Sequence, residues 1–289
     1  MLRLIARLPL SWIHAAGATL GWLVYLWSAS YAARLRENLR QSRLWRDEAE
    51  YQRLLHENIA ESGKAGTELL AAWFRPVADA LRLIMSCEGL HVVEEAERSG
   101  KGIIYLTPHL GCFDLAALWV AQRTPITVLY RPPRMEMLHP LIEAGRGRDR
   151  VTLAPANLSG VRRLLKALKR GEALGILPDQ VPSFGEGVWA EFFGRPAYTM
   201  TLVGRLVEAT GATPIMGIAE RLPGGRGYVL RATKVDGALS GERGPRMLNA
   251  AVENMVRLKP GQYLWSYNRH KAPAGAPPPD TAVTAGTRG

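Results

Sequence analysis

Short apolar runs alternate with helical stretches from about residue 88 onward, and this alternation is the feature that most constrains the fold. The runs have the length of strands, whereas the stretches between them carry apolar residues at helical spacing. The predicted strands are 102–106, 126–130, 173–177, 214–219 and 228–232, and the predicted helices are 114–122, 161–170, 199–209 and 246–258. Strands that alternate with helices form parallel sheets, so we predict an α/β fold with a mostly parallel central sheet flanked by helices.

The N-terminal part of the chain has a different character. Residues 8–30 contain no Asp, Glu, Lys or Arg, and a stretch of roughly 20 apolar residues is long enough to cross a bilayer. The arginines that flank it are denser on its C-terminal side, which places the body of the protein in the cytoplasm. We therefore predict an N-terminal membrane helix over residues 1–30. His14 and several Gly and Ala residues weaken the apolar signal, so a helix that lies in the membrane interface is the alternative.

Two further boundaries follow from composition. Residues 47–73 and 77–85 are helical in pattern, and they join the N-terminal segment to the alternating region. Residues 272–289 are rich in Pro, Gly, Ala and Thr, which predicts a disordered tail. One folded domain is thus expected over residues 31–271.

The formal net charge of +11 indicates a polyanionic partner. An anionic membrane surface, a phosphorylated substrate and nucleic acid all fit that charge. The Lys and Arg residues are spread along the chain and no nucleic-acid-binding motif is present, so no nucleic-acid partner is expected. The two cysteines do not form a metal-ligand pair, and no phosphate-binding loop is present, so we expect no metal and no cofactor.

The strongest chemical signal is the segment Thr107-Pro108-His109-Leu110-Gly111-Cys112-Phe113-Asp114, which follows a predicted strand and opens a predicted helix. Across such a corner, the carboxylate of Asp114 is expected to hydrogen-bond one imidazole nitrogen of His109, which leaves the other nitrogen to take a proton from a substrate hydroxyl. No G-x-S-x-G motif is present to suggest a covalent acyl-enzyme. Cys112 lies inside the segment, and we interpret it as a small buried thiol.

Other strand ends carry residues suited to substrate binding. Arg131 and Arg134 follow the strand at 126–130, where guanidinium groups suit phosphate recognition. Asp179 and Gln180 follow the strand at 173–177 and are expected to position substrate or to support the loop that carries His109. Phe192 and Phe193 form an apolar pair that is expected either to meet an apolar substrate or to pack in the core.

Together these segments resemble the lipid A biosynthesis acyltransferases, the lauroyl and myristoyl transferases within the wider lysophospholipid acyltransferase superfamily. The matching pieces are the H-x4-D block at His109 and Asp114, Tyr130-Arg131-Pro132, Leu177-Pro178-Asp179-Gln180 and the segment from Phe192-Phe193-Gly194 to Thr199. The resemblance extends from the N-terminal apolar segment to Gln262-Tyr263-Leu264-Trp265. It implies a location on the cytoplasmic face of the inner membrane.

The resemblance also implies a reaction. The donor is an acyl carrier protein thioester, which is a co-substrate, and the acceptor is a hydroxyl of a lipid A precursor. His109 takes the role of base, Asp114 that of its carboxylate partner, and Arg131 that of phosphate recognition. Many of these enzymes have Glu where this chain has Asp114, and glycerolipid acyltransferases have an E-G-x-R block where this chain has Pro178-Asp179-Gln180.

Three alternatives stay open at this point. The acceptor is a lysophospholipid or another membrane lipid. Or the dyad activates water and the protein is a thioesterase. Or the chain is a basic, non-catalytic peripheral protein that binds nucleic acid or anionic lipid. The first two keep His109 as the base and differ only in what attacks the thioester.

Overall fold

The structure is a computed structural model that describes residues 2–131, 136–235 and 237–279. Its helices are α1 (Leu2–Ile5), α2 (Leu10–Trp27), α3 (Ala29–Ser42), α4 (Glu48–Phe74), α5 (Val77–Leu81), α6 (Leu90–Ser99), α7 (Phe113–Arg123), α8 (His139–Arg146), α9 (Leu158–Lys169), α10 (Leu202–Thr210) and α11 (Gly244–Leu258). Its strands are β1 (Ile84–Glu88), β2 (Ile103–Leu106), β3 (Ile126–Tyr130), β4 (Val151–Pro155), β5 (Ala173–Ile176), β6 (Gly187–Phe192), β7 (Arg195–Met200), β8 (Thr213–Arg221) and β9 (Tyr228–Lys234).

The centre of the described chain is a seven-stranded sheet in the order β1-β9-β8-β2-β5-β3-β4. Strands β8, β2, β5, β3 and β4 run parallel to one another, whereas β9 is antiparallel to β8 and parallel to the edge strand β1. Strands β6 and β7 form a separate antiparallel hairpin. The predicted α/β fold with a mostly parallel central sheet is confirmed.

Strand β2 shows how the sheet separates two layers of helices. Ile104 and Leu106 belong to one core cluster, which contains side chains of α9, α10 and α11. Ile103 and Tyr105 belong to another, which contains side chains of α6 and α7. Successive side chains of a strand point to opposite faces, so a strand covered on both faces has no polar position. This explains why the sequence of β2 is an uninterrupted apolar run.

Some differences from the predicted elements have local causes. Edge strands β1 and β4 were not predicted, because edge strands bury few side chains and their sequences lack a long apolar run. Residues 199–200 were assigned to a helix but belong to β7. The β6–β7 hairpin turns at Phe193 and Gly194, which have φ values of 47° and 73°, and positive φ at both central residues is the geometry of the commonest two-residue hairpin loop.

Helices α2 and α4 pack antiparallel, with almost no side chain between them. Gly17 and Gly21 on α2 face Gly63 on α4, and a Cβ atom at Gly63 would lie 2.0 Å from the carbonyl oxygen of Gly17. Across the same contact, Thr67 Oγ1 donates a hydrogen bond to the carbonyl oxygen of Ile13 (3.0 Å). The absence of glycine side chains therefore sets the spacing of this helix pair.

A buried ion cluster joins α2 and α4 to the sheet. The guanidinium of Arg221 on β8 binds Glu68 on α4 through Nε (2.8 Å) and Nη2 (2.6 Å), and it also binds Glu61. Tyr228 on β9 donates to Glu68 (2.8 Å), and His14 on α2 lies 3.5 Å from the same carboxylate. Burial alone would raise the pKa of Glu68, but the charge and hydrogen bonds of Arg221 and its neighbours lower it to about 2.

The other face of α2 is apolar and exposed. Trp12 and Trp27 are 66% and 83% exposed, which is unusual for tryptophan. We call the exposed apolar side chains of α1, α2 and their connection the N-terminal apolar surface; they are Leu4, Ile5, Leu8, Trp12, Leu20, Leu23, Val24, Leu26 and Trp27.

The membrane-spanning helix predicted over residues 1–30 is not supported. Within residues 2–131, 136–235 and 237–279, every helix is too short or too polar to cross a bilayer. The charge-free stretch is divided, because α2 begins after Pro9 and ends at Trp27, and the Ser28 hydroxyl accepts a hydrogen bond from Tyr31 N to start α3. An apolar helix that lies in the membrane interface, the alternative, stays a prediction.

The first part of the predicted tail lies against the β6–β7 hairpin. Trp189 on β6 donates a hydrogen bond to the carbonyl oxygen of Pro277 (2.8 Å), and Gly275 lies next to the ring of Phe184. Residues 280–289 lie outside the described residues, so the prediction of disorder stays a prediction for them.

Candidate active site

The site forms where two neighbouring parallel strands end. Leu106, the last residue of β2, is level with Ile176, the last residue of β5, and Thr107 N donates a hydrogen bond to the Ile176 carbonyl oxygen (3.0 Å). The segments that follow β2 and β5 continue side by side from this point. The third residue after β2 therefore lies next to the third residue after β5. These residues are His109 and Asp179, and the carboxyl edge of a parallel sheet is the usual location of a ligand site.

His109 is hydrogen-bonded to Asp179 twice. Its Nδ1 lies 2.8 Å from one carboxylate oxygen, and its backbone N–H donates to the other (2.9 Å). The side chain of Asp179 is 3% exposed. Burial alone would raise the pKa of Asp179, but the charge of His109 and these hydrogen bonds hold the pKa below its ordinary value. Asp179 is therefore an ionised carboxylate that orients the imidazole.

This contact determines which nitrogen of His109 is basic. Since the carboxylate of Asp179 accepts the proton on Nδ1, Nε2 carries the lone pair. The side-chain amide of Gln180 lies 3.0 Å from Nε2 and donates to it. Both His109 and Gln180 line a cavity, so the basic nitrogen of the imidazole faces the space where a substrate can enter.

Asp114 has a different partner from the one predicted. Its carboxylate binds Arg146 on α8 (Nε–Oδ1 2.8 Å) and accepts a hydrogen bond from Trp73 Nε1 (3.1 Å). The predicted pairing of Asp114 with His109 is therefore wrong. Asp114 lies in the first turn of α7, after a sharp turn at Gly111 (φ 64°), and its side chain points to α8 and α4. The interaction partner of His109 comes instead from the adjacent strand.

The cavity beside His109 has a volume of about 610 Å³. Its wall along α9 and α10 is largely apolar, and the lining side chains there include Leu158, Val161, Leu165, Leu202 and Leu206. Among the residues that the structure describes, the cations Arg131, Arg146 and Arg205 also line it. A mostly apolar cavity with a few polar groups beside one basic nitrogen is the usual form of a site for a ligand that has both an apolar part and a charged group.

The other predicted site residues have different outcomes. Arg131 lines the cavity, as a substrate-binding residue requires, whereas Arg134 lies outside the described residues. Phe192 is buried in the core, where it packs on Phe193 (ring centroids 4.8 Å apart) under the guanidinium of Arg269. Neither phenylalanine is among the described residues that line the cavity, and Phe192 takes the core position that was one of its two predicted alternatives, whereas contact of the half-buried Phe193 with substrate stays a prediction.

Sequence reasoning missed two cavity cations, Arg146 and Arg205, and Arg146 is the one held by an ion pair. The Arg146 guanidinium is held by Asp114 and lies over the rings of Trp73 and Phe113 at 5.6 and 5.7 Å. Nothing in the local sequence distinguishes this arginine from Arg148 or Arg150, because its importance arises from contacts between α4, α7 and α8.

Cys112 does not contribute a nucleophile. The thiol is buried, and burial together with the negative charge of Glu68 raises its pKa well above the ordinary value. A buried, protonated thiol is inert, because the thiolate is the nucleophilic form. The interpretation of Cys112 as a packed side chain agrees with this geometry.

Comparisons with known proteins give consistent results. A family model described as bacterial lipid A biosynthesis acyltransferase matches residues 1–272. The chain is 26% identical to the lipid A biosynthesis lauroyltransferase of Escherichia coli (strain K12) over 285 residues, which covers 96% of this chain and 91% of that protein. It is 27% identical to the palmitoleoyltransferase of the same organism over 225 residues, which covers 77% of this chain and 72% of that protein.

The family model spans the N-terminal helices, the sheet and the cavity together, so it covers every element that builds the site. A lipid A biosynthesis acyltransferase of Haemophilus influenzae is 27% identical over 277 residues, which covers 93% of this chain and 87% of that protein. The chain therefore belongs to the bacterial lipid A biosynthesis acyltransferase family, and it is an acyltransferase.

Proposed function

We propose that the protein transfers a fatty acyl group from an acyl carrier protein thioester to a hydroxyl of a lipid A precursor, with His109 as general base. The observation that carries this proposal is the orientation of His109. Asp179 binds Nδ1 at 2.8 Å, and His109 lines a cavity of about 610 Å³ together with Gln180, whose amide lies 3.0 Å from Nε2. A base must lie within hydrogen-bonding reach of the proton it removes, and Nε2 meets that condition for a hydroxyl placed where the Gln180 amide now donates.

The proposed chemistry proceeds without a covalent acyl-enzyme. Nε2 of His109 takes the hydroxyl proton while the hydroxyl oxygen attacks the thioester carbonyl. The C–S bond of the tetrahedral intermediate then breaks, and the imidazolium returns the proton to the departing sulfur. Asp179 favours the cationic form of the imidazole during this step, because its buried carboxylate is hydrogen-bonded to Nδ1. No cofactor is required.

The walls of the cavity suit the proposed substrates. The leucine and valine side chains of α9 and α10 are suited to contact with the acyl chain, and burial of each CH₂ group contributes about 0.8 kcal/mol. Arg131, Arg146 and Arg205 are suited to contact with phosphate groups, because guanidinium groups bind phosphate in a bidentate manner. We assign the thioester and its chain to the apolar wall and the acceptor phosphates to the cations.

We further propose that the protein acts at the cytoplasmic face of the inner membrane. The N-terminal apolar surface supports this, since tryptophan and leucine side chains on one helix face are typical of helices that lie in a membrane interface. The net charge of +11 adds attraction to anionic lipids.

The thioesterase and lysophospholipid alternatives are tested together in one assay. Purified protein is given an acyl carrier protein charged with a ¹⁴C-labelled acyl chain, and the label is followed into a lipid A precursor, a lysophospholipid or free fatty acid. We expect label in the lipid A precursor, and loss of that transfer in His109→Ala, by about 10² to 10⁴.

Label that appears as free fatty acid in the presence of both acceptors would favour the thioesterase. Full transfer by a folded His109→Ala variant would refute the base assignment. Mass spectrometry of membrane lipids from cells with and without the gene then identifies the acceptor, because the lost acyl chain names both its position and its length.

A further inference from the structure

Helix α9 presents three different stripes along its length. Leu164, Ala167 and Leu168 are buried against the sheet. Leu158, Val161 and Leu165 line the cavity. Arg162, Lys166 and Lys169 recur at positions i, i+4 and i+7 and are exposed, with the exposed Arg163 beside them. On a helix with 3.6 residues per turn, the cationic stripe therefore borders the stripe that lines the cavity.

The cationic stripe has no partner in the part of the chain that the structure describes. Arg170, directly after α9, pairs with Glu172 at 2.7 Å, but Arg162, Arg163, Lys166 and Lys169 make no ion pair or side-chain hydrogen bond with any described residue. Four like charges on one helix face repel one another, and such an arrangement is useful when a partner of opposite charge neutralises it.

We propose that the cationic stripe of α9 is the docking surface for an acidic carrier protein that delivers the acyl chain. This inference rests on the proposed function. A carrier seated on Arg162 and Lys166 is next to the cavity, so a chain held at the end of its flexible arm enters between α9 and α10. Leu158, which is 79% exposed at the start of α9, is the exposed large apolar side chain of this helix and offers an apolar contact.

An anionic bilayer fits the stripe less well than a carrier protein does. A helix that binds a bilayer inserts an apolar face and places its cations at the edge of that face. In α9, the apolar residues other than the exposed Leu158 pack against the sheet or line the cavity, so the cationic stripe has no continuous apolar face to insert. The exposed apolar side chains are concentrated instead on the N-terminal apolar surface.

The test reverses two charges of the stripe. Acyl transfer by Arg162→Glu/Lys166→Glu is measured with a lauroyl-loaded acyl carrier protein and with lauroyl phosphopantetheine, which has the same thioester arm without the protein. We expect the KM for the carrier-bound donor to rise about tenfold or more, because like charges at an interface slow association. The KM for lauroyl phosphopantetheine and the kcat for both donors are expected to stay within about twofold of wild type, since those quantities do not depend on the carrier surface.

The matched control is Arg98→Glu/Lys101→Glu, which makes the same change in net charge. Both residues are exposed, and they lie at the end of α6 and just after it; α6 packs on the opposite layer of the sheet from α9. This control is expected to leave the KM for the carrier-bound donor unchanged. Equal effects of the two double variants would overturn the docking surface and indicate a general effect of net charge.

A direct binding measurement separates this inference from the proposed function. Binding of a fluorescently labelled acyl carrier protein is followed by anisotropy, without turnover. Wild-type binding that is lost in Arg162→Glu/Lys166→Glu supports the surface even if the acceptor is not a lipid A precursor. Unchanged carrier binding with reduced binding to phosphatidylglycerol vesicles would assign the stripe to the bilayer and overturn the inference.

Discussion

At the scale of single residues, the site depends on which carboxylate meets His109. The sequence places Asp114 in the motif with His109, but the fold brings Asp179 to the imidazole, because β2 and β5 are neighbours that end level with one another. The acid group of the H-x4-D block instead holds Arg146 on the cavity wall. The two carboxylates therefore have separable roles, one on the base and one on a cation.

Replacement of Asp179 by Asn is expected to lower kcat by about 10³ to 10⁴ while the protein stays folded, because an amide in that position can donate to Nδ1 and thereby favour the wrong tautomer of His109. Steady-state kinetics check the loss, and circular dichroism checks the fold. Gln180→Ala is the comparison, since it removes a group on Nε2 without disturbing the tautomer. A kcat for Asp179→Asn within about tenfold of wild type would show that the carboxylate is not the orienting group.

Replacement of Asp114 by Asn is expected to act through Arg146. Each of Asp114→Asn and Arg146→Met should reduce kcat/KM, and the double variant should be no worse than Arg146→Met alone, because residues in one ion pair are not additive. The measurement is a double-mutant cycle on kcat/KM. Additive losses would mean that Asp114 acts on the reaction independently of Arg146.

The sequence predicted the strand ends that carry the site but not how they pair. His109, Arg131, Asp179 and Gln180 all follow apolar runs and all reach the cavity or its edge, because a strand end is recognisable from local pattern. Which two strands are adjacent is a property of chain topology, so the partner of His109 could not be read from spacing. Arg146 and the buried position of Phe192 likewise depend on long-range packing.

At the scale of elements, the contact between α2 and α4 depends on glycine. Gly17, Gly21 and Gly63 bring two helix backbones together, and local pattern does not predict this, because glycine lowers helix propensity and weakens the signal of both helices. The tertiary contact outweighs that cost. The predicted boundaries were accurate for α4 and β3, whose apolar patterns are regular. The edge strands β1 and β4 were not predicted.

Two glycine substitutions on α4 are expected to change stability in opposite directions. Gly63→Ala places a methyl group against the α2 backbone and should lower the free energy of unfolding by about 1–3 kcal/mol. Gly66→Ala, where an added Cβ meets nothing within 4 Å, should raise it by about 0.5–1 kcal/mol through helix propensity. Denaturant unfolding followed by circular dichroism measures both. Destabilisation by Gly66→Ala as large as that by Gly63→Ala would argue against the close helix contact.

At the scale of the whole molecule, the ion cluster around Glu68 joins the N-terminal helices to the sheet. Arg221 and Tyr228 come from two strands, Glu68 and Glu61 from α4, and His14 from α2. Because Glu68 and Arg221 at the centre of the cluster are buried, removal of one of them leaves an uncompensated charge, which typically costs about 3–5 kcal/mol.

Glu68→Gln is therefore expected to lower the free energy of unfolding by about 3–5 kcal/mol near neutral pH. The pKa of Glu68 is lowered from 4.5 to about 2, so the ionised carboxylate stabilises the fold above pH 4.5 and loses this effect as the pH falls toward 2. The difference between wild type and Glu68→Gln should consequently shrink below about pH 4.5.

Chemical unfolding at a series of pH values between 7 and 3 measures that difference. Glu208→Gln, at an exposed position on α10, is the control and is expected to stay within about 0.5 kcal/mol of wild type. A destabilisation by Glu68→Gln that is independent of pH across the acid range would place its cause in packing and not in charge.

The packing of α2 against α4 determines how the apolar surface of α2 can be altered in the laboratory. Truncation before α3 would remove α2, expose the surface of α4 around Gly63 and uncover one side of the Glu68 cluster. A shortened form is therefore expected to aggregate. Polar replacements of Trp12, Leu26 and Trp27, which are exposed, would make the N-terminal apolar surface less apolar and leave the contact between α2 and α4 intact. The exposed apolar surface of this protein is thus best altered by substitutions on one face of α2, with the helix itself kept in place.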